Sequence, residues 1–267
     1  MNTLHNHSKW SDGIHTIRDM ALAAQAAGAE AFGISDHLVL TPKELDVNPA
    51  DVWWMPPANL EAYMAEAKTV KEELTDEKFK VYIGLEADYF PETIDRLRET
   101  LALYDFDYVI GAVHYAGKFP IDHSAANWEC LTPDQCHEVW SIYLDKLVGL
   151  VNSGCFDWVA HPDLPKKFGY PMPDDLRPKM REVINAIADA ELAIELNTAG
   201  LDKECRDVYP SEWILEMAVE QAIPVALTAD AHNIEQIVRH FRAGLVYMAR
   251  CGVEPAPPGH LFGRRQR

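Results

Sequence analysis

The sequence predicts an α/β fold: a single-domain, TIM-like barrel of about seven strand–helix units. Three observations predict it. Seven short apolar runs, TLHNH, EAFGISDH, FKVYIGLEADY, FDYVIGAVHY, FDWVAHPD, LAIELNTAG and IPVALTADAH, alternate with helical stretches along the chain. Such continuous alternation means a parallel sheet with crossover helices. No Gly-x-Gly-x-x-Gly follows the first run, which removes the usual dinucleotide-binding open sheet. Every run except the sixth carries histidine or an acidic residue at or near its end. A β/α barrel gathers its chemistry at the C-terminal ends of several strands, so this distribution favours closure over an open layer.

Each element has a local reason. The apolar runs are short, rich in β-branched or aromatic residues and bounded by turn formers, as strands are. TIRDMALAAQAAG starts on Thr16 and stops at Gly28, and ANLEAYMAEAKTVKEEL places apolar residues at helical spacing. TPDQCHEVWSIYLDKLVGLVNSG opens with proline after a threonine cap and closes near Gly154. PDDLRPKMREVINAIADA and PSEWILEMAVEQA follow the same logic. Prolines and two tryptophans break the rhythm around residues 41–60, which reads as an insertion over one end of the barrel. Residues 1–250 then form the domain. Residues 251–267, ending EPAPPGHLFGRRQR, are expected to be a poorly ordered tail with Arg264, Arg265 and Arg267 in solvent.

Composition narrows the function. A chain of 267 residues, 48% hydrophobic and 25% charged, can bury a large core as an ordinary soluble protein. Its five cysteines form no Cys-x-x-Cys pair, which fits a reducing compartment. No secretory leader is visible, and no stretch reaches the ~18 apolar residues of a membrane span. The expectation is a cytoplasmic protein without membrane contact. A formal net charge of −18 opposes nucleic acid as a partner. It also opposes a phosphorylated small molecule, unless bound cations reverse the field locally.

The strand ends supply candidates for holding such cations. His5 and His7 stand at i and i+2 on the first run, a spacing that puts both imidazoles on one face of a strand. His37, Glu86, His114 and His161 follow on runs two to five, and Asp230 and His232 close the seventh. With Asp12 they make nine imidazole or carboxylate ligands, and six of the eleven histidines are among them. Nine is too many for one ion, since zinc takes about four ligands and manganese or iron about six. A shared carboxylate allows neighbouring ions about 3.5–4 Å apart, and the set suggests three divalent ions, zinc, manganese or iron.

HNHSKWSDG, SDH, GLEADY, GAVHY, HPDL, ELNTAGL and TADAH resemble, in order, the signature motifs of the PHP (polymerase and histidinol phosphatase) superfamily, from about His5 to Phe241. GAVHYAGKFPIDH, HPDLPKKFG and ELNTAGLDKECRDVYPS make the chain most similar to the stand-alone histidinol-phosphatases. The resemblance implies a distorted (β/α)7 barrel and a trinuclear site. One ion falls to His5, His7, Glu86 and Asp230. A second shares Glu86 and adds His114 and His161, and a third takes Asp12, His37 and His232. It implies a phosphomonoesterase that cleaves L-histidinol phosphate, in histidine biosynthesis, with a metal-activated hydroxide attacking in line. The alternative within the superfamily is another small phosphate ester or phosphodiester, such as a nucleotide or sugar phosphate. Amidohydrolases also use His-x-His on a first barrel strand, but no lysine stands at a strand end here to bridge ions.

Beyond the ligands, Lys166 and Lys167 are candidates for a phosphate oxygen. His123 and Asp122 are candidates for protonating the leaving group. Asp36 and Asp163 are candidates for orienting ligand imidazoles, with Asp36 assigned to the catalytic set. Asn197 is expected to pin the rim without ligating. The chain departs from the expected pattern Asn-Thr-Ser-Gly-Leu-Arg-Lys by reading NTAGLDK, so Asp202 replaces a basic residue and Lys203 is the substitute for phosphate binding. Trp53 and Trp54 are expected to pack over the barrel end, with the pocket mouth as the alternative.

Overall fold

The computed structural model describes residues 1–47 and 52–265. Its strands are β1 (Asn2–Thr3), β2 (Ala31–Ile34), β3 (His37–Leu38), β4 (Lys80–Asp88), β5 (Tyr108–Ala112), β6 (Tyr115–Ala116), β7 (Phe119–Pro120), β8 (Trp158–Val159), β9 (Ala193–Asn197) and β10 (Val225–Thr228). The helices are α1 (Ile17–Ala26), α2 (Leu60–Leu74), α3 (Ile94–Leu101), α4 (Ala125–Glu129), α5 (Pro133–Asn152), α6 (Arg177–Asp189), α7 (Glu212–Glu220) and α8 (Phe241–Arg250). Thr16 and Thr132 cap α1 and α5 through reciprocal bonds with Asp19 and Gln135.

Seven strands pair in parallel in the order β1-β2-β4-β5-β8-β9-β10, one from each of the seven apolar runs. After a break at Ser35 and Asp36 the chain resumes as β3, which sets His37 beside Glu86. The two ends of the sheet meet where Asn6 bridges Ala231. There the His7 N–H donates to Ala231 O at 2.8 Å and the Ala231 N–H to His5 O at 3.3 Å. The sheet thus closes into a barrel at its C-terminal mouth, beside the first and last of the predicted ligand pairs.

Aromatic rings fill the lower interior. The Tyr108 ring stacks with Trp158 (4.7 Å) and Phe262 (5.0 Å), which stack with each other (6.3 Å), and its hydroxyl donates to Leu4 O at 2.6 Å. Gly33 and Gly84 face that ring, and a Cβ at either would overlap it. The room for Tyr108 is therefore made by two residues without side chains on neighbouring strands.

The C-terminal segment differs from the expected disordered tail. The Ala256 N–H donates to Val225 O at 2.8 Å, Leu261 is buried, and the Arg264 N–H reaches Asp157 Oδ1 at 2.8 Å. Arg265 pairs with the buried carboxylate of Asp157 and donates to Phe106 O. The physical reason lies in β1, whose two residues cannot cover the lower edge of β10 or the barrel floor. The final residues supply both the missing edge bond and the plug, so Arg264 and Arg265 are anchors. Arg267 lies outside the described residues.

The interruption after β3 covers the mouth, although residues 48–51 of the predicted insertion lie outside the described residues. The Trp53 ring stands edge-on to His37 (4.5 Å) and His114 (5.0 Å). Trp54 packs with Val39, Leu45, Phe90 and Tyr115. The two tryptophans thus divide the roles considered for them. Among the described residues no helix is long and apolar enough to cross a membrane.

Candidate metal centre

The nine predicted ligands converge at the barrel mouth. Glu86 on β4 is the centre. Its Oε2 lies 2.8 Å from His37 Nδ1, 3.1 Å from His5 Nε2 and 3.5 Å from His7 Nε2, while Oε1 lies 3.0 Å from His161 Nε2 and 3.8 Å from His114 Nε2. Asp230 Oδ1 approaches His7 Nε2 at 3.0 Å and His5 Nε2 at 3.6 Å. Asp12 lies between His37 Nε2 (3.7 Å) and His232 Nε2 (3.3 Å). Three sets have ligand atoms within 4.8 Å of one another: His5, His7 and Glu86; His37, Glu86 and His114; and His7, Asp12, His37 and His232. His37 stands in two of them, a wider reach than the resemblance implies, because its two ring nitrogens face Glu86 and Asp12.

The donor set fits cations. His5 Nε2, His37 Nδ1 and Glu86 Oε2 are buried, face one another and find no hydrogen-bond partner of good geometry among the described residues. Several lie within 3 Å or so of another donor atom, yet the angles fail, as expected of lone pairs that converge on a shared point. Burying such groups unpaired is costly unless something binds them. Backbone strain accompanies the cluster: His161 (φ 24°) and Asp230 (φ 49°) both lie in the left-handed region that branched side chains avoid.

Charge follows the same plan. Burial pushes the Glu86 carboxyl up, but the imidazoles of His37 and His5 outweigh it and hold Glu86 well below the usual carboxylate range. Asp230 is likewise held low against its burial, chiefly by His5 and His7. His7 is pushed down to about 3 by burial and by its neighbours His37 and His232, which keeps it a neutral ligand. Burial also opposes protonation of His114, yet the adjacent Asp88 carboxylate raises it to about 10. Against their burial, neighbouring carboxylates also raise His5 well above its usual value and His232 to about 9. Protons and a divalent ion therefore compete for these nitrogens, because the ion binds neutral imidazole and ionised carboxylate.

Two positioning residues escape sequence reasoning. Asp88 Oδ1 holds His114 Nδ1 at 2.5 Å. Glu195, fully buried on β9, holds His5 Nδ1 at 2.7 Å and accepts from the His161 N–H (2.9 Å), Asn197 Nδ2 (3.0 Å) and Thr228 Oγ1 (2.9 Å). A carboxylate that fixes the far nitrogen of an imidazole orients the near one. The available signal was charge on an otherwise apolar strand: Glu195 shares a strand face with Asn197, and Asp88 with Glu86. Asn197 itself reaches Asp230 Oδ2 at 3.2 Å, pinning the rim as expected.

Other candidates are reassigned. Asp36 orients no imidazole and does not line the cavity. It accepts from Ser8 N (2.8 Å), Ser8 Oγ (2.8 Å), Ser11 N (3.1 Å) and Ser11 Oγ (2.6 Å), so all its capacity pins the loop that carries Asp12. Asp163 likewise serves Ser211 and Lys166. Lys166 is buried and spent on Asp207 Oδ2 (2.7 Å), Val208 O (2.6 Å) and Ser211 Oγ (2.7 Å), which removes it from the phosphate-binding set. Lys167, Lys203, Asp122 and His123 do line the cavity over the cluster, which holds about 400 Å³. Arg239, unforeseen in the sequence, joins them there. Lys167 Nζ donates to Asp122 O at 2.8 Å and stands 3.4 Å from its carboxylate, and that charge keeps the partly buried Asp122 carboxyl low against desolvation.

A parallel β/α barrel with a histidine–carboxylate cluster at its mouth defines a class of hydrolytic scaffold. Residues 3–199 match the PHP domain family, and the chain belongs to it. It is 34% identical over 221 residues to the "Probable histidinol-phosphatase" of Deinococcus radiodurans, covering 82% of this chain and 80% of that protein. The histidinol-phosphatase of Bacillus subtilis is 26% identical, covering 88% of this chain and 93% of its own. Among solved structures, histidinol phosphate phosphatase from Lactococcus lactis, in complex with zinc, L-histidinol and phosphate, superposes with TM-score 0.77 at 20% identity. That match covers 98% of this chain and 97% of the other and shows the shared fold.

Proposed function

We propose that the chain is a metal-dependent phosphomonoesterase that hydrolyses L-histidinol phosphate to L-histidinol and phosphate. The observation that carries this is Glu86, whose two carboxylate oxygens face two different sets of buried imidazole nitrogens. The names of the relatives and the ligands of the Lactococcus protein support the substrate. In this reading His5, His7, Glu86 and Asp230 hold one divalent ion, Glu86, His114 and His161 a second, and Asp12, His37 and His232 a third. When bound, such ions supply Lewis-acid charge to phosphoryl oxygens and lower the pKa of water toward neutrality.

The protein's own groups do the rest. Glu195 and Asp88 hold His5 and His114 in fixed tautomers and orientations. Lys167 and Lys203 face the remaining phosphate oxygens and counter the −18 net charge where the substrate enters. Trp53 stands over His37 and His114 and keeps bulk water from that side of the cluster. In this reading His123, on the exposed lip of the cavity, gives the proton to the leaving alcohol; its place in the cavity lining supports the role, and the pairing of Asp122 with Lys167 weighs against Asp122.

The test is phosphate release by protein loaded with manganese, zinc or iron, with L-histidinol phosphate set beside nucleotide and sugar phosphates. Preference for histidinol phosphate is expected. Preference for another ester would keep the reaction class and move the substrate. Absence of phosphatase activity in every loaded form would overturn the reading.

A further inference from the structure

Arg239 is a third cation on the cavity wall that bears Lys167 and Lys203, and its setting differs from theirs. Nη2 is tied to the barrel rim, donating to Ala229 O at 2.7 Å, with Asp230 O at 3.4 Å. Nη1 faces Asp202 Oδ2 at 3.4 Å. The other oxygen of that carboxylate, Oδ1, takes His240 Nε2 at 2.7 Å. Two consecutive residues therefore engage the two oxygens of one carboxylate. His240 adopts a left-handed backbone (φ 56°) at the start of α8, a conformation that a non-glycine residue holds only when its surroundings impose it.

Asp202 does not line the cavity, whereas Arg239 does. A guanidinium has five N–H donors, and here Nε–H has no partner and Nη1 no close one among the described residues. The Lys203 side chain, on the same cavity wall, makes no hydrogen bond or ion pair among the described residues, while its backbone N–H donates to Gly200 O at 3.0 Å. The three cations line one cavity together with Asp12, Asp122 and Asp230. Asp12 and Asp230 belong to the ligand cluster, Asp122 is engaged by Lys167, and Asp202 is held behind the wall by His240.

We infer that Arg239 contacts the phosphoryl group of the substrate, and that Asp202 and His240 are positioning residues that hold its guanidinium toward the cavity. The acidic residue at 202 thus places a cation in the site from the turn that precedes α8 instead of contributing one itself. The inference rests on the phosphatase reading above for the identity of the anion, but the anion site itself is separable from it.

The experiment measures calorimetric affinity for inorganic phosphate, and separately for L-histidinol, on the metal-loaded protein and its variants. Arg239→Ala should weaken phosphate binding by about tenfold to a hundredfold, the loss of one charge-assisted hydrogen bond, and leave L-histidinol binding unchanged. Asp202→Asn should weaken phosphate in the same direction by less, and should add nothing in the Arg239→Ala background. Arg239→Lys, which keeps the charge, guards against a folding defect and should fall between wild type and Arg239→Ala. Unchanged phosphate affinity in the folded Arg239 variants would overturn the contact. Additive losses in the double variant would overturn the positioning role of Asp202. If wild type ignores L-histidinol phosphate yet phosphate affinity still falls in Arg239→Ala, the anion site stands and only the substrate reading fails.

Discussion

The two ends of the barrel are built from the same strands and follow opposite rules. At the floor, the buried Asp157 carboxylate accepts from Val109 N (2.8 Å), Arg264 N (2.8 Å) and the Arg265 guanidinium. Above it, Tyr108, Trp158 and Phe262 stack as a closed aromatic plug. At the mouth, the equally buried Glu86 leaves Oε2 without a hydrogen bond of good geometry, imidazoles crowd to centroid distances of 4.1–4.4 Å, and two strand ends sit in strained backbone. The charges at the floor are paired within the protein, although Trp158 Nε1 is buried there without a partner, whereas the mouth leaves a carboxylate and imidazoles that call for something bound. The floor stabilises the frame and the mouth uses that stability.

The largest expected effect would break this comparison at its centre. Glu86→Gln keeps shape and volume but removes the charge between two sets of imidazoles. Turnover should fall by several orders of magnitude, about what loss of an essential electrostatic group costs, with the thermal midpoint little changed. Chelation of wild type should reproduce the loss, and adding back manganese, zinc or iron should reverse it in wild type alone. A Glu86→Gln enzyme with near-normal kcat would sink the cluster as the seat of chemistry.

The floor calls for the opposite outcome. Phe262→Ala opens the plug beneath Tyr108 and should cost about 2–3 kcal/mol, somewhat under a fully buried phenylalanine because the ring is partly exposed. For a chain of this size that lowers the melting midpoint by roughly 5–10 °C. KM and kcat measured well below the transition should stay within about twofold, the scatter expected of a site untouched by a distant change. A large kcat loss at full folding would show that the two ends are coupled.

A smaller effect separates ligand from positioning residue. Asp88→Asn leaves His114 in place but removes the charge at its Nδ1, and metal affinity should fall about tenfold to a hundredfold. Competition with a chromophoric chelator reads this directly. Unchanged affinity would reduce Asp88 to a packing role.

These contrasts also explain what the sequence made legible. The strand-end histidines stood out because local spacing and the β/α alternation together fix where a residue points. His5, His7, Asp230 and His232 needed no knowledge of tertiary partners. Glu195 and Asp88 were hidden because their meaning depends on imidazoles contributed by other strands, and each reads locally as an odd charge in an apolar run. Asp36 and Lys166 were misjudged for the converse reason. Asp36 sits beside a ligand at the break between β2 and β3 and turns to the serines of the Asp12 loop. Lys166 sits in a short helical turn, Leu164–Phe168, that aims successive side chains in different directions and sends it into the frame. Arg239 was missed because it lies past the last strand, in a stretch with no motif. The tail was misjudged because polarity and prolines usually mark disorder, while the vacancy it fills arises from the brevity of β1.

The smallest prediction concerns Lys167, and its neighbour makes it sharp. Lys166 and Lys167 are adjacent, of one type, and indistinguishable by composition. Lys166 lies among Asp163, Asp207, Val208 and Ser211, so truncating it strands buried Asp163 and acts on folding. Lys167 lines the cavity with Asp122 behind it, at 2.8 Å to the carbonyl and 3.4 Å to the carboxylate, and the Phe168 ring centroid 5.3 Å away. Lys167→Ala should therefore raise KM by roughly tenfold, the value of one solvent-screened charge contact, while stability moves by no more than about 0.5 kcal/mol. The profile to look for is a KM change at constant melting temperature, with kcat nearly intact because other cations still face the phosphate. If Lys167→Ala instead lowers the melting point and leaves KM alone, both lysines belong to the frame, and the cavity's positive wall reduces to Lys203 and Arg239.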